Sequence, residues 1–516
     1  MIRYIHGING PVLTVHGEGF AMAEMVTVNG LPGEVIALKP DAATVQIYES
    51  TAGLKRGMTV EKTNHPMSIT LRPGIIGGIF DGIMRPLNEN IARRFSAQIT
   101  AEPGQTLNGG DIFASVEETE SITYKAMVPP GVSGVVSYAA PHGEYSSSEK
   151  IILLETQNGT HELSLSQKWP IRIPRPVKRK LSAEIPLITG QRVIDSLFPI
   201  VKGGTCAIPG GFGTGKTMTQ HQLAKFCDAD IIIYIGCGER GNEMTEVLED
   251  FAKLKDPRTN ASLLSRTVLI ANTSDMPVAA REASIYTGIT LAECYRDMGC
   301  DVAVMADSTS RWAEALRELS SRLAEIPAEE GYPAYLATRL AAFYSRAGYA
   351  ENLNGTNGSV TIIGAVSPQG ADFSEPVTLH TKRFTRCFWA LDRRLAYARH
   401  FPAINPLQSY SGYLPEIDEW YVKNIHPDFP IYREKILKTL FEESTLLETA
   451  KLVGTDSLTQ KEKQVLSVAK KIRENFTAQN AHTDPFTPLQ KQFELMKNIL
   501  RATSENHRSV RILNTR

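Results

Sequence analysis

From about residue 185 the chain alternates short, uninterrupted apolar runs with longer segments of helical pattern. The apolar runs are Thr205–Ile208, Ile231–Ile235, Val268–Ala271, Val302–Ala306 and Val360–Val366. The helical segments include Lys216–Cys227, Val278–Met298 and Arg311–Leu323. Strands that are apolar at every position are buried on both faces, and helices between them supply the crossover connections. This alternation predicts a parallel α/β sheet covered by helices.

The segments on either side follow other patterns. Residues 1–70 carry short β-type runs with the tight-turn pair Asn29-Gly30 between two of them, which predicts an N-terminal β-barrel. Residues 71–184 predict a linker and a small β-rich bulge, ending in the extended strap Trp169–Val177, which its prolines keep from being helical. Residues 405–516 have apolar residues at helical spacing and predict a helical bundle. With 185–404 as the α/β domain, four domains share the 516 residues.

Composition excludes several classes of protein. Lys and Arg number 55 and Asp and Glu 56, so the net charge of −1 gives no general attraction to nucleic acid. The six cysteines show no C-x-x-C spacing, which favours reduced thiols over a zinc site. The N-terminal residues do not resemble a signal peptide, and no apolar run approaches the ~18 residues of a membrane span. A connection to a membrane is therefore expected only through partners.

A phosphate-binding loop lies between the first apolar run and the first helical segment. Gly210–Thr217 reads G-x-x-x-x-G-K-T. Its glycines allow successive backbone N–H groups to turn toward an anion at the start of a helix. Lys216 can reach the β- and γ-phosphates of a nucleoside triphosphate, and the Thr217 hydroxyl can ligate Mg²⁺.

Two further strands end in carboxylates. Ile231–Ile235 leads to Glu239 and Arg240, and Val302–Ala306 leads to Asp307. Ligands of open α/β sheets bind beyond the carboxyl ends of the strands. A carboxylate at 239 could orient water toward a γ-phosphate, although from spacing alone such a Glu-Arg pair is more often a structural salt bridge. Asp307 suits a magnesium site, with a helix N-cap as the alternative.

Several longer blocks closely resemble the A subunit of V-type and A-type rotary ATPases. They are Pro209–Thr217, Tyr234–Met244, Asn272–Glu282, Ala306–Trp312, Pro327–Pro333 and Ser367–Pro376. The resemblance implies a RecA-like nucleotide-binding domain and a ring of three A and three B subunits that surrounds a central rotor stalk and is held by a peripheral stalk. It also implies MgATP or MgADP as ligand, an arginine supplied in trans by the B subunit, and coupling to H⁺ or Na⁺ transport by a membrane sector at the cytoplasmic face of the cell membrane.

By family position, Glu239 is the water-activating carboxylate, Arg240 a phosphate contact and Phe401 the aromatic that stacks on adenine. The predicted catalytic residues are Glu239, Lys216 and Arg240, with Thr217 and Asp307 for the metal and Glu243 and Arg311 in support. The predicted nucleotide-binding residues are Gly210, Gly211, Phe212, Gly213, Thr214, Gly215, Lys216, Thr217, Met218 and Phe401.

The chain departs from the family pattern at three places. The segment Asn88–Gly109 is shorter than the usual insert, so the outer bulge and its stalk contacts should be reduced. The segment Gln479–Phe486 is short where the family places a second adenine-side aromatic, and His482 and Phe486 are both candidates. Position 214 is Thr where eukaryotic relatives have an oxidisable Cys, which indicates a prokaryotic type and leaves Cys237 as a free thiol beside the site.

Three other functions compete with this hypothesis. A non-catalytic, B-like subunit should lack the intact phosphate loop, whereas Lys216, Thr217 and Glu239 are all present. An RNA translocase should carry basic, aromatic RNA-binding surfaces, which the balanced charge does not favour. A type III secretion or flagellar export ATPase shares the mechanism but lacks the Pro327–Pro333 block.

Overall fold

The computed structural model describes residues 3–87, 93–453 and 458–513, with side chains described up to Arg501 except that of Val453. The short insert predicted at Asn88–Gly109 therefore lies partly outside the described residues, since residues 88–92 are not among them. The chain forms two compact units. The first contains residues 1–181 and 229–364, and the second contains 182–228 and 365–516.

The N-terminal segment of the first unit is a closed β-barrel, as predicted. Its strands are Tyr4–Asn9 (β1), Val12–His16 (β2), Glu24–Val28 (β3), Leu31–Lys39 (β4), Ala42–Ile47 (β5) and Val60–Pro66 (β6). They pair in the order β1-β2-β5-β4-β3-β6, and a bridge between Tyr4 and Thr59 joins the two ends. Asn29 and Gly30, both at positive φ, form the tight turn between β3 and β4. The inward-facing Leu13, Val26 and Val45 are fully buried.

The bulge of the first unit is a pair of four-stranded antiparallel sheets. Two short strands precede the bulge in the chain, Ser68–Leu71 (β7) and Ile79–Phe80 (β8). The strands of the bulge itself are Arg94–Ile99 (β9), Thr106–Leu107 (β10), Ile112–Glu117 (β11), Thr123–Met127 (β12), Gly134–Ala139 (β13), Gly143–Ser146 (β14), Lys150–Thr156 (β15) and Gly159–Ser164 (β16). One sheet has the order β12-β11-β9-β14 and the other β10-β13-β15-β16. Gln167–Pro170 (β17) then pairs with β7 and begins the predicted strap.

The remaining strands and helices alternate as the apolar runs predicted. The strands are Arg179–Leu181 (β18), Thr205–Pro209 (β19), Ile231–Glu239 (β20), Thr267–Thr273 (β21), Asp301–Asp307 (β22), Gly348–Glu351 (β23), Asn357–Val366 (β24), Cys387–Phe388 (β25) and Tyr410–Ser411 (β26). The helices up to the C-terminal bundle are Lys216–Phe226 (α1), Gly241–Lys253 (α2), Val278–Asp297 (α3), Thr309–Arg322 (α4), Leu336–Tyr344 (α5), Pro376–Phe384 (α6) and Arg393–Tyr397 (α7).

In the first unit the strands β24, β22, β20, β21 and β8 lie side by side and run parallel. Parallel pairing brings the carboxyl ends of β20, β21 and β22 to one edge of the sheet. Glu239 is the last residue of β20 and Asp307 the last residue of β22, so both lie on that edge. In the second unit, β19 pairs in parallel with β25, which continues antiparallel into β26.

The C-terminal part of the second unit is helical, in agreement with the sequence pattern. Its helices are Leu414–Asn424 (α8), Phe429–Val453 (α9), Gln460–Ile472 (α10) and Leu489–Leu513 (α11). Short 3₁₀ or π segments occur at Val193–Leu197, Leu263–Arg266, Glu329–Gly331, Gln369–Ala371 and Arg473–Thr477. No helix within the described residues is long and apolar enough to cross a bilayer.

Candidate functional site

The phosphate loop lies in the second unit, between β19 and α1. Gly213 and Gly215 adopt positive φ values of 74° and 83°, which glycine tolerates without steric cost. A side chain at Gly210 would overlap the hydroxyl of Thr214, which itself donates to the carbonyl of Gly211 at 2.8 Å. These contacts fold the loop into a turn at the amino end of α1, where backbone N–H groups favour an anion.

Lys216 closes the loop from the first turn of α1. Its ammonium donates to the carbonyl oxygens of Gly210 and Gly211 at 2.6 and 3.2 Å. Phe212, at the tip of the loop, is 87% exposed, and Met218 is half-exposed on the helix. The Lys216 ammonium and the backbone N–H groups of the loop therefore lie beside an exposed surface.

Glu239 occupies the end of β20 in the first unit and is half-buried. Its backbone carbonyl accepts a hydrogen bond from the amide of Ser274 at 2.9 Å, which ties the end of β20 to the segment after β21. The preceding residue, Gly238, has φ 74°, and a Cβ there would lie 2.8 Å from Cδ of Arg281. The close approach of the Arg281 side chain and the positive φ explain why the residue before Glu239 is glycine.

The carboxyl of Glu239 is in an environment that favours its protonated form. Burial, then the charge of Asp307 and a hydrogen bond with Glu243, raise the pKa of Glu239 to about 7. The positive charge of Arg311 and a hydrogen bond from Ser308 act in the opposite direction. Perturbed carboxylates of this kind are typical of catalytic sites.

Asp307 lies beside Glu239 on the neighbouring strand and is buried. The hydroxyl of Tyr234 donates to Oδ2 of Asp307 at 3.1 Å. Burial raises the pKa of Tyr234 well above its usual value, so the phenol remains a donor. The helix cap is Ser308, whose side chain accepts the amide hydrogen of Arg311 at 3.4 Å. The Asp307 carboxylate is thus not used as the N-cap that sequence reasoning left open.

The predicted supporting residues flank this carboxylate pair. Glu243 lies in the first turn of α2, and Arg240 immediately precedes that helix with its side chain exposed. Arg311 donates to both oxygens of Glu314 at 3.1 and 2.9 Å. Arg311 is therefore held on α4 with its charge close enough to oppose the rise in the pKa of Glu239.

Phe401 lies in the second unit and is partly buried. Its carbonyl accepts the amide hydrogen of Gln479 at 2.6 Å, and the Gln479 side chain donates to the carbonyl of Gly190 at 2.9 Å. Phe486 packs against Gly190, where a Cβ would overlap its ring, and lies 6.1 Å from the ring of Phe226. His482 and Phe486 are both exposed, so exposure does not separate the two adenine-side candidates, whereas the contact with Phe226 belongs to Phe486.

Sequence reasoning missed Tyr234 and gave no indication of the burial of Cys237. Tyr234 interrupts an aliphatic strand, and a buried hydroxyl in such a place signals a polar partner. Cys237 is a free thiol, as expected, but it is fully buried and accepts a hydrogen bond from the Ser284 hydroxyl at 3.2 Å. Burial raises the pKa of Cys237 to about 12, so the thiol is unreactive.

The residues present fit a magnesium–nucleotide complex better than a metal held by protein alone. Among the described residues there is no group of three or more His, Cys, Asp or Glu side chains that could hold a metal ion. Mg²⁺ commonly takes one or two protein oxygens and completes its shell with water and substrate phosphates. Taken separately, the Asp307 carboxylate in the first unit and the Thr217 hydroxyl in the second unit are each a hard oxygen donor of the required kind.

The fold and the site together define a nucleotide-binding protein of the ATP synthase alpha/beta type. Family models match residues 5–64 (beta-barrel domain), 84–172 (barrel-sandwich domain), 190–411 (nucleotide-binding domain of the ATP synthase alpha/beta family) and 418–512 (C-terminal domain of V and A type ATP synthase).

Two curated relatives show which branch of the ATP synthase alpha/beta type this chain resembles. The V-type ATP synthase alpha chain 2 of Clostridium tetani is 57% identical, over 97% of this chain and 88% of that protein. The A subunit of the A-type ATP synthase of Methanopyrus kandleri is 54% identical, over 96% of this chain and 88% of that protein. The chain belongs to the family of catalytic A subunits of V-type and A-type rotary ATP synthases.

A solved structure shows the same fold in another system. The assembled ATPase EscN of the enteropathogenic E. coli type III secretion system has a TM-score of 0.71 and 22% identity, and covers 97% of this chain and 100% of that chain. At that identity the likeness concerns the fold alone. The V and A type C-terminal domain and the identities above 50% separate this chain from the secretion ATPases.

Proposed function

We propose that this chain hydrolyses or synthesises MgATP as the A subunit of a rotary ATPase, with Glu239 as the residue that activates the attacking water. The observation that carries the proposal is a half-buried carboxylate with a raised pKa at the end of β20, in a chain whose phosphate loop is intact. A silent nucleotide-binding subunit has no need of such a group.

The phosphate loop supplies the binding half of the mechanism. The backbone N–H groups of Gly211–Gly215 surround the phosphates. When the nucleotide binds, the Lys216 ammonium gives up its hydrogen bonds to the two carbonyl oxygens and contacts the β- and γ-oxygens instead. Phe401 stacks on adenine. Met218 and Phe212 border the same loop.

The first unit supplies the reactive half. Ionised Glu239 accepts a hydrogen bond from water and orients its oxygen for in-line attack on the γ-phosphorus. As the new P–O bond forms, the bond to ADP breaks and the water's proton passes to the carboxylate. Glu243 supports Glu239 from the first turn of α2, while Arg240 and Arg311 offset negative charge around the transferred phosphoryl group. In synthesis the same groups act in reverse.

Asp307 and Thr217 would hold the magnesium ion, Asp307 through the hydration shell. Bound with the nucleotide, the ion would offset negative charge on the phosphates. The Tyr234 hydroxyl donates to the Asp307 carboxylate at 3.1 Å.

The complete site requires partners. We propose an A₃B₃ ring in which the B subunit contributes an arginine in trans, with a central rotor stalk, a peripheral stalk and no nucleic acid. The ring acts at the cytoplasmic face of the cell membrane, which it reaches only through the sector that moves H⁺ or Na⁺. Family membership supports this arrangement, because the resemblance implies that the arginine comes from the partner and not from this chain.

The test is turnover of MgATP by the chain co-purified with its B partner. Glu239→Gln should retain nucleotide binding and lose about 10²–10⁴-fold in turnover. Glu246→Gln, on the exposed face of α2, is the matched control and should change little. Near-normal turnover of Glu239→Gln would refute the assignment of the base.

A second measurement separates the competing functions. The isolated chain should bind ATP but turn it over slowly, because an arginine supplied in trans is worth about 10³–10⁵-fold in related phosphoryl transfer. Tight RNA binding with RNA-dependent hydrolysis would instead contradict the rotary function.

A further inference from the structure

Tyr234 is the one hydroxyl-bearing residue in the otherwise apolar run Ile231–Cys237 of β20. It is 1% exposed, so its hydroxyl is removed from water. Burying a hydroxyl without a partner is costly, and an aliphatic side chain or phenylalanine would fill the same place without that cost. The hydroxyl therefore calls for an explanation in terms of what it bonds to.

The pairing of β20 with β22 directs this hydroxyl to one acceptor. Gly236 is the register partner of Asp307, and Tyr234 lies two residues earlier on the same strand. Residues two apart point to the same face of a sheet, so the tyrosine ring can extend along the strand past Gly236. The result is the 3.1 Å hydrogen bond from the Tyr234 hydroxyl to Oδ2 of Asp307.

Packing from α2 fixes the ring in this direction. The ring of Phe251 meets that of Tyr234 edge-on at a centroid distance of 5.5 Å. Met244 of the same helix fills the space beside Gly236, where a Cβ would overlap its sulfur. Both side chains are buried. The tyrosine ring is thus held from the side of α2 with its hydroxyl directed toward Asp307.

A fixed donor on Oδ2 restricts rotation of the Asp307 carboxylate. Mg²⁺ requires near-octahedral geometry, so a carboxylate that holds it through the hydration shell must be directed at a coordinated water. Partners that hydrogen-bond to metal-binding carboxylates commonly account for about 10–100-fold in metal affinity.

We propose that Tyr234 is a positioning residue that orients Asp307 for the magnesium–nucleotide complex. The inference rests on the metal role of Asp307 given under the proposed function. The role assigned to Tyr234 is exerted through the aspartate and includes no contact of its own with the nucleotide or the metal.

The direct test measures metal affinity rather than turnover. Mn²⁺, followed by electron paramagnetic resonance, is titrated into the complex of the chain with its B partner in the presence of ADP. Tyr234→Phe should weaken Mn²⁺ binding about 10-fold and leave the affinity for metal-free ADP unchanged. Tyr295→Phe is the matched control, because it also removes a buried tyrosine hydroxyl. That hydroxyl lies 3.5 Å from the carboxylate of Glu118, and the contact does not involve Asp307.

A double-mutant cycle separates positioning from a general structural effect. If Tyr234 acts through Asp307, Tyr234→Phe should cause no further loss of Mn²⁺ affinity in the Asp307→Asn background. An equal loss in both backgrounds, or unchanged Mn²⁺ affinity in Tyr234→Phe, would overturn the inference. Unchanged affinity in Asp307→Asn itself would overturn both the inference and the metal assignment beneath it. Thermal unfolding of each variant confirms that the comparison is made on folded protein.

Discussion

The guanidinium of Arg172 donates to both carboxylate oxygens of Glu282, at 3.0 and 2.7 Å. It also donates to both oxygens of Glu34, at 3.0 and 2.9 Å. Glu34 belongs to β4 of the barrel, Arg172 to the strap Trp169–Val177, and Glu282 to α3. One arginine therefore joins the barrel, the strap and a helix of the nucleotide-binding domain within the first unit.

Arg172→Met should destabilise the protein by about 3–5 kcal/mol, because it leaves two buried carboxylates without their cation. Glu34 and Glu282 are 2% and 3% exposed. The measurement is urea-induced unfolding. Arg94→Met is the control, since it breaks an exposed ion pair with Glu149 and should cost no more than about 1 kcal/mol. Equal losses in the two variants would show that the buried pairing is unimportant.

The same ion pair predicts a pH dependence. Burial alone would raise the pKa of Glu282, but the charge of Arg172 outweighs it, and the pKa lies below its usual 4.5. A carboxyl whose pKa is lowered on folding stabilises the protein above its unfolded pKa and loses that contribution as the pH falls. The difference in unfolding free energy between the parent and Arg172→Met should therefore shrink below about pH 4.5. A difference that stays constant from neutral to acidic pH would contradict this account.

Gly190→Ala should destabilise the second unit by two effects. Gly190 has φ +75°, and a Cβ would overlap the ring of Phe486. Gly131→Ala is the control for backbone strain, because Gly131 has φ +84° with nothing within 4 Å of the added carbon. Thermal unfolding should show a loss for Gly190→Ala that exceeds the control by about 1–3 kcal/mol, the usual cost of overpacking. Equal losses would mean that Phe486 moves aside freely.

Cys237 should resist alkylation in the native protein. Its thiol is buried, and burial raises its pKa to about 12, so little thiolate forms at pH 8. Iodoacetamide followed by peptide mass spectrometry should leave Cys237 unmodified until urea is added. Rapid labelling of Cys237 in the native protein would indicate that β20 opens. A loss of turnover in mild oxidant that a reductant reverses would indicate the same.

Much of the fold could be predicted from the sequence because its signals are local. Asn29-Gly30 specifies a tight turn through its own backbone preferences, and the prolines of the strap exclude a helix wherever they lie. The helix predicted from Arg311 begins at Thr309, since Ser308 caps it. The four domain ranges and the roles of the site residues stay predictions, and the family resemblance contributed Glu239 and Phe401 beyond what spacing could indicate.

The parallel α/β architecture, the phosphate loop and the positions of the two carboxylates at strand ends can be derived from the sequence alone, because periodicity and glycine placement act over a few residues. The environment of those carboxylates arises only in the folded chain. The hydroxyl of Tyr234 reaches an aspartate 73 positions away, and Arg172 bridges acids 138 and 110 positions distant. The pKa of Glu239 depends on burial and on neighbours from another strand. Hydrogen bonds, charges and desolvation act through space, so their partners are fixed only when the strands have paired.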